Sequence, residues 1–131
     1  MIEYYVADSI ALSMLLGDRL PSKAQEAFNK AEDGKAIIIV PNIALAELAY
    51  NIMKGRIDMK DSFATVQEVI TNLRSANYIQ VVEFTTDTWK EFFQLKIPEL
   101  HDRMIAAVAV SLKAPVITKD AEIASQVPTI W

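Results

Sequence analysis

The 131-residue sequence contains no cysteine and only one histidine, His101. The lack of cysteine excludes a disulfide framework, a thiolate nucleophile and a zinc–thiolate site. One histidine is too few for a histidine-rich metal site. Any metal ion would therefore be bound mainly through oxygen.

Glycine is also scarce, with three residues in the whole chain. Gly17, Gly34 and Gly55 each follow a stretch with helical spacing, where a glycine commonly ends a helix. No glycine is left for a loop that cradles phosphate, and neither GxGxxG nor the Walker pattern can be written. Nucleotide binding of those kinds is therefore unsupported.

The chain has no long apolar run and no excess of positive charge. Residues 104–112, the longest apolar stretch, are too few to span a bilayer, and an N-terminus with Glu3, Asp8 and no basic cluster does not resemble a signal peptide. We therefore expect a cytoplasmic protein that does not enter membranes. With a net charge of −4, nucleic-acid binding would depend on a metal ion or a few local cations.

Strand and helix patterns alternate along the chain, and 52% of its residues are hydrophobic, which suits one domain over residues 1–131. The run AIIIV at 36–40 is typical of a strand buried on both faces. We predict an α/β fold with a mainly parallel sheet, in which ligands bind at the carboxyl ends of the strands. The predicted strands are 2–7, 36–40, 79–84, 115–118 and 129–131, and the predicted helices are 9–16, 21–33, 43–54, 60–74, 86–95, 99–113 and 120–125.

Four acidic residues lie on elements that should be largely buried. Asp8 follows the first strand, and Asp120 follows the strand PVIT after one residue. Glu47 interrupts the apolar helix ALAELAY, and Asp102 opens the helix that continues MIAAVAV. A carboxylate near a core is unfavourable unless it is paired or binds a metal ion.

Each acid also has a structural interpretation. Asp8 and Asp120 could cap the helices that follow them, and Asp102 could be a first-turn acid favoured by the helix dipole. Glu47 could form a salt bridge with Arg103 or Lys119. If the four acids instead converge, their oxygens favour Mg²⁺ or Mn²⁺, and without metal at least one should have a raised pKa.

The order of these residues resembles the PIN-domain family. The similarity rests on Asp8, Glu47 in a helix, Asp102 before an Ile-Ala-Ala run, and Thr118-Lys119-Asp120. The segment ELHDRMIAAVAVSLKAPVITKDAEI is similar to the C-terminal half of VapC-type toxins. The resemblance implies a three-layer sandwich, with helices on both sides of the sheet, and a metal-dependent ribonuclease.

For the site, the resemblance implies that Asp8 and Asp102 are direct metal ligands and that Glu47 and Asp120 complete an acidic pocket. Glu122 would be a further acid. It also implies an antitoxin partner and a homodimer. One departure is Ile10, where family members often carry a small polar residue.

Three neighbours of the acids are candidate contacts for RNA phosphates: Ser9, Arg103 and Lys119. His101 could help to position a phosphate, or could be a helix-start residue bonded locally. We therefore expect a Mg²⁺- or Mn²⁺-dependent endoribonuclease, the toxin of a type II toxin–antitoxin pair. The alternative is a catalytically weak protein-binding module on the same scaffold, which Ile10 favours. A small-molecule phosphatase is disfavoured because the DxD spacing and a cap segment are missing.

Overall fold

The computed structural model describes residues 1–57 and 62–131. These residues form a five-stranded sheet and seven helices. The elements are β1 Glu3–Ala7, α1 Ser9–Leu16, α2 Ser22–Glu32, β2 Ala36–Pro41, α3 Asn42–Met53, α4 Ser62–Ser75, β3 Ile79–Val82, α5 Thr86–Gln94, α6 Leu100–Leu112, β4 Val116–Ile117, α7 Ala121–Gln126 and β5 Thr129–Ile130. The predicted start of the fourth helix at Lys60 lies outside the described residues.

Every strand pair in the sheet is parallel, and the strand order is β3-β2-β1-β4-β5. The prediction of an α/β fold with a parallel sheet is confirmed. The chain winds outward from β1 through β2 to β3 and then resumes on the other side of β1 with β4. The crevice between the carboxyl ends of β1 and β4 is therefore the switch point, where open parallel sheets bind ligands.

The central strands are apolar because both of their faces are covered. In β2, Ile38 and Val40 are fully buried, Ile39 is almost so, and Ile37 is partly exposed. Val6 and Ala7 in β1 and Val116 and Ile117 in β4 are also fully buried. This two-sided burial confirms the predicted sandwich of helices around the sheet.

β3 and β4 are each two residues shorter than their sequence patterns suggest, whereas β1 and β5 are each one residue shorter. β3 ends at Val82 instead of residue 84 because its partner β2 ends at Pro41, the residue that pairs with Val82. After Pro41 the chain enters α3, so Glu83 and Phe84 have no strand to join. β4 keeps two of its four predicted residues, and Thr118 lies just beyond its end.

Glycines follow the ends of three helices, as predicted. Gly34 and Gly55 adopt positive φ angles of 78° and 70°, which side chains with a Cβ rarely adopt. Gly17 caps α1 with a negative φ. Within the two described ranges, no helix combines the length and the apolar character that crossing a bilayer requires.

Candidate acidic active site

The end of β1 delivers Asp8 into the crevice beside β4. Its side chain is buried, and its Oδ1 accepts a hydrogen bond of 2.8 Å from the backbone N–H of Ala11, so it caps α1. The hydroxyl of Thr118 donates to its Oδ2. Burial raises the pKa of the Asp8 carboxyl, and the hydrogen bonds from Thr118 and Ala11 oppose this rise.

The end of β4 supplies the second acid. Asp120 caps α7, because its Oδ1 accepts from the backbone N–H of Ile123 at 2.9 Å. Its own N–H donates to the Thr118 hydroxyl oxygen at 3.0 Å. Thr118 is buried, and it links the ends of β1 and β4 by contacting both acid-bearing residues. The sequence alone shows Thr118 as a hydroxyl-bearing residue at a strand end, two positions before Asp120, and does not indicate its contact with Asp8.

Helix α3 contributes Glu47, whose side chain is half-buried. Its Oε2 lies 3.2 Å from Nδ1 of His101, and this contact replaces the salt bridge to Arg103 or Lys119 that the sequence left open. Burial raises the pKa of the Glu47 carboxyl, nearby acids add to the rise, and His101 opposes it. The histidine therefore has a partner 54 residues away, beyond any local sequence pattern.

The start of α6 carries Asp102 and an acid that the sequence analysis did not single out, Glu99. Glu99 is the N-cap residue, and its Oε2 accepts from the backbone N–H of Asp102 at 2.6 Å. Its Oε1 lies 3.5 Å from Nδ1 of His101. A Glu at the start of a helix is favoured by the helix dipole, but nothing local to it indicates proximity to Glu47.

The pKa of Asp102 depends on the charges of all the other acids of the site. Burial raises its pKa from 3.8 to about 7, and the charges of four other acids add to the rise: Asp120, Glu99, Glu47 and Asp8. The fold therefore brings all four predicted acids within electrostatic range of one another. The expectation that one acid has a raised pKa is confirmed. Asp8 and Asp120 also cap helices, so the structural and the functional interpretations are compatible.

The acids fit a hard divalent cation in their chemistry. Among the described residues, no three His, Asp or Glu side chains lie close enough together to enclose an ion as they stand. Mg²⁺ usually binds proteins through one or two carboxylates and completes its shell with waters and substrate phosphates. Asp8 and Asp102 would be such a pair of oxygen ligands.

The remaining predicted residues are placed differently. Ser9 is buried, whereas Lys119 and Glu122 are exposed. Arg103 points toward α5: its Nε donates to the carbonyl oxygen of Ile97 at 2.6 Å, and its guanidinium lies 5.3 Å from the centre of the Phe92 ring. These contacts hold the Arg103 head group at the junction of α5 and α6. Ile10 is partly exposed on α1.

Comparison with solved structures shows the same fold in several proteins at low sequence identity. VapBC2 from Rickettsia felis, solved bound to a promoter DNA fragment, matches with a TM-score of 0.71 and 17% identity over 94% of this chain and 92% of that chain. FitAcB from Neisseria gonorrhoeae has a TM-score of 0.66 and 15% identity, covering 95% and 96% of the two chains. VapC20 from Mycobacterium tuberculosis, described as a sarcin–ricin loop cleaving toxin, has a TM-score of 0.64 and 14% identity, covering 92% and 93%.

No curated protein matches this sequence. The model of the PIN domain, in contrast, matches residues 4–127, nearly the whole chain. This match agrees with the parallel sheet and with the acids gathered at its carboxyl edge. The chain belongs to the PIN-domain family.

Proposed function

We propose that the protein is a Mg²⁺- or Mn²⁺-dependent endoribonuclease that acts as the toxin of a type II toxin–antitoxin pair. The observation that carries this proposal is the convergence of four acids on Asp102, whose pKa is raised to about 7. Family membership supports it, since PIN domains are generally nucleases. The fold that the chain shares with VapC20 agrees with RNA as the substrate.

In this proposal Asp8 and Asp102 hold the cation. A divalent cation bound there would polarise the scissile phosphate and lower the pKa of an attacking water. Asp8 is fixed for this role because the Thr118 hydroxyl and the Ala11 N–H hold its two oxygens in one orientation. Asp102 is fixed through its helix, whose first turn is capped by Glu99.

Glu47 and Asp120 orient the attacking water. The Glu47 carboxylate takes the proton from that water while its Oε2 stays in contact with His101. The water oxygen then bonds to phosphorus as the bond to the leaving oxygen breaks, and the leaving oxygen takes a proton from solvent. The raised pKa of Glu47 makes its carboxylate a better base than an exposed glutamate.

The negative charge of the chain leaves phosphate binding to local groups. Lys119 is exposed beside Thr118 and Asp120, and Ser9 follows Asp8 directly, so both remain proposed phosphate contacts. Arg103 is a weaker candidate because its head group is held by Ile97 and Phe92. Glu122 is exposed on the first turn of α7, so we propose that it lies at the outer edge of the acidic pocket.

Cleavage of a defined RNA tests the proposal. We expect the wild type to cut RNA with Mg²⁺ or Mn²⁺ and to stop in chelator, and D8N and D102N to lose at least about 100-fold in rate. D87N is the matched control, because Asp87 is exposed on α5 and its nearest cation is Lys90 at 4.0 Å. Equal cleavage by the wild type, D8N and D102N would reveal a contaminating nuclease and defeat the proposal.

The antitoxin partner, the homodimer and the cytoplasmic location belong to the same proposal. Support for a partner comes from VapBC2, which shares the fold. A small reading frame beside the gene, encoding a DNA-binding protein that co-purifies with this chain, is the expected finding. Sedimentation of the purified chain as a monomer would remove the homodimer from the proposal.

A catalytically weak binding module is the second candidate. Two observations favour it: Ile10 stands where a small polar residue is common in the family, and both oxygens of Asp8 already accept hydrogen bonds. Calorimetry with Mn²⁺ separates the two functions. A folded protein that shows no heat of Mn²⁺ binding would favour the module. Mn²⁺ binding by the wild type that is lost in D102N would favour the nuclease.

A further inference from the structure

A cavity of about 430 Å³ opens beside the acids, on the outer side of α3. Its lining includes Glu47 and His101, so it is continuous with the acidic site. The other lining residues are Ile43, Ala46, Tyr50, Asn51 and Arg56. A volume in this range suits a small ligand or one group of a larger one. The proposed chemistry at the four acids leaves this cavity without a role.

The cavity wall is one face of α3. Its helical residues are spaced by three or four positions, which places their side chains on the same side of the helix. Glu47 and Tyr50 are three residues apart, so the phenol ring lies about one helical turn from the carboxylate. Tyr50 is 52% exposed, so its ring is accessible to a ligand in the cavity.

Two cations lie over that ring, so a base that stacks on it would take the place of a cation there. The Lys54 Nζ is 5.5 Å and the Arg56 Cζ is 5.6 Å from the ring centre of Tyr50. The acids and the cations are thus separated along α3, with Glu47 on one side of the ring and the basic groups on the other. A ligand that spans the cavity would meet a metal-binding acidic end, an aromatic face and then positive charge.

The end of α3 explains how Arg56 reaches the cavity. Gly55 adopts φ of 70°, the N–H of Arg56 donates to the Asn51 carbonyl at 3.0 Å, and the N–H of Gly55 donates to the Ile52 carbonyl at 3.1 Å. These bonds are those of a Schellman cap, which turns the chain back along the helix. The Arg56 guanidinium then donates from Nη1 to Oδ1 of Asn51 at 3.0 Å. That bond orients the Asn51 amide so that its Nδ2 can donate to a ligand.

We propose that this cavity is a subsite for one unpaired base of single-stranded RNA, stacked on Tyr50 next to the phosphate that is cut. The inference rests on the proposed ribonuclease function. Aromatic side chains beside cationic groups are the usual platform for unpaired bases, because every base has a π-face and is flanked by phosphates. Asn51 would donate to the edge of the base, and Lys54 and Arg56 would contact the neighbouring phosphate.

Charge favours RNA over a peptide in this cavity. A basic peptide would be attracted by Glu47 and Glu99 but repelled by Lys54 and Arg56. An acidic peptide would be attracted by the two cations but repelled by the two acids. In RNA, each base is flanked by two phosphates. One phosphate could contact Lys54 and Arg56, and the other could lie near the acids once a divalent cation offsets their charge, which matches the order of charges along α3.

The test is an abasic scan in a short single-stranded RNA that the wild type cuts at one site. We expect removal of a single base next to the cut to weaken binding in chelator by about 10-fold in the wild type. Y50L should bind the intact RNA about 10-fold more weakly and show no further loss with the abasic RNA, because the stacking partner is already gone. Y50W should bind like the wild type. F93L is the matched control, since Phe93 is also an exposed aromatic ring but lies on α5 and does not line the cavity.

A salt titration tests the phosphate contact separately. R56Q should lower the slope of log Kd against log salt by about 0.7, the contribution of one phosphate on single-stranded nucleic acid. Wild-type protein that neither binds nor cuts any RNA would overturn the proposed function together with the subsite. If the wild type cuts RNA, but removal of the base weakens binding to Y50L as much as binding to the wild type, the subsite alone is overturned. Unchanged RNA binding by Y50L, with loss of binding to a co-purified partner protein, would assign the cavity to a peptide and overturn the base subsite.

Discussion

The two ends of the sheet carry cavities of similar size and different charge. At the carboxyl end, the cavity of about 430 Å³ beside α3 is bordered by Glu47, His101 and Arg56. At the other end, a cavity of about 460 Å³ lies where α6 leads into β4 and α7 into β5. Its lining is almost wholly apolar, with residues such as Val110, Pro115 and Pro128 and a single charged side chain, Lys113.

Backbone direction explains this difference. In a parallel sheet all strands end at the same edge, so the residues that follow the strands, including Asp8 and Thr118, gather there. The helices that return to the amino end arrive with apolar faces that pack on the sheet. Asp8 and Thr118 therefore meet at the carboxyl edge because each directly follows a parallel strand. Four substitutions test this difference between the two ends of the sheet.

The largest effect should come from I38D in the middle of the sheet on which both ends depend. Ile38 is fully buried in β2, between β1 and β3. An uncompensated carboxylate there should destabilise the fold by more than about 4 kcal/mol, so the protein should not fold. Chemical denaturation followed by circular dichroism measures this. I38V should lose only about 1 kcal/mol, and cooperative unfolding of a soluble I38D protein would refute the placement of β2.

The next effect concerns the link between the two strand ends at the acidic edge. T118V removes the hydrogen bond to Asp8 and the acceptor for the Asp120 N–H, and we expect a loss of about 1–3 kcal/mol in the free energy of unfolding. T118S should restore most of the stability. T129V is the matched control on β5, where the described residues give the Thr129 side chain no hydrogen bond. Equal losses for T118V and T129V would contradict the special role of Thr118.

A third effect should have the opposite sign and depend on pH. The pKa of Asp102 is about 7 in the folded protein and 3.8 ordinarily, so between these values the folded state keeps a proton that the unfolded state releases. Stability should therefore fall as pH rises from about 4 to about 7 and stay low above that range. D102N should flatten the profile and, because solvent screens a partly exposed group, gain about 1–2 kcal/mol at pH 8 in chelator.

Melting curves in chelator at pH 4.5 and pH 8 measure this difference, with D87N as a control that should show no such gain. Loss of stability in D102N at pH 8 would mean that Asp102 serves as a partner in an ion pair. Addition of Mn²⁺ should stabilise the wild type and leave D102N unchanged, because an ion that binds only the folded state adds to its stability.

The smallest effect should come from the apolar end. V110A trims a partly buried side chain beside the second cavity and should lower stability by about 1 kcal/mol. Cleavage of RNA should stay within about two-fold of the wild type, since the cavity is distant from the acids. A larger change in the cleavage rate would show that the two ends of the sheet are coupled, and that the apolar end also affects catalysis.

Much of the fold could be predicted from local patterns. The alternation of strands and helices, the buried run of β2 and the glycines that end α2 and α3 each depend on a few adjacent residues. The errors lie at strand ends, where Glu83 and Phe84 lack a partner because β2 turns into α3 at Asn42. Extent of pairing depends on the neighbouring strand, which a local pattern does not contain.

The site could be predicted only in part. Asp8, Glu47, Asp102 and Asp120 stand out because each acid interrupts or ends an apolar element. Glu99 did not stand out, because nothing near it in the sequence indicates its contact with His101. Thr118 is part of the Thr118-Lys119-Asp120 motif, but its bond to Asp8 could not be predicted from that motif. The roles of the acids as metal ligands, and the single domain over residues 1–131, stay predictions.

Local sequence patterns indicate which segments become strands and helices and which carboxylates lie in apolar surroundings, because hydrophobic periodicity is a property of short stretches. Which side chains meet across the chain depends on how those segments pack. Thr118 reaches Asp8 across 110 residues because β4 adds to the sheet beside β1, and His101 reaches Glu47 because α3 and α6 pack together. The physical reason is that strand order and helix packing are chosen by the whole core, and side-chain contacts between distant segments follow from that choice.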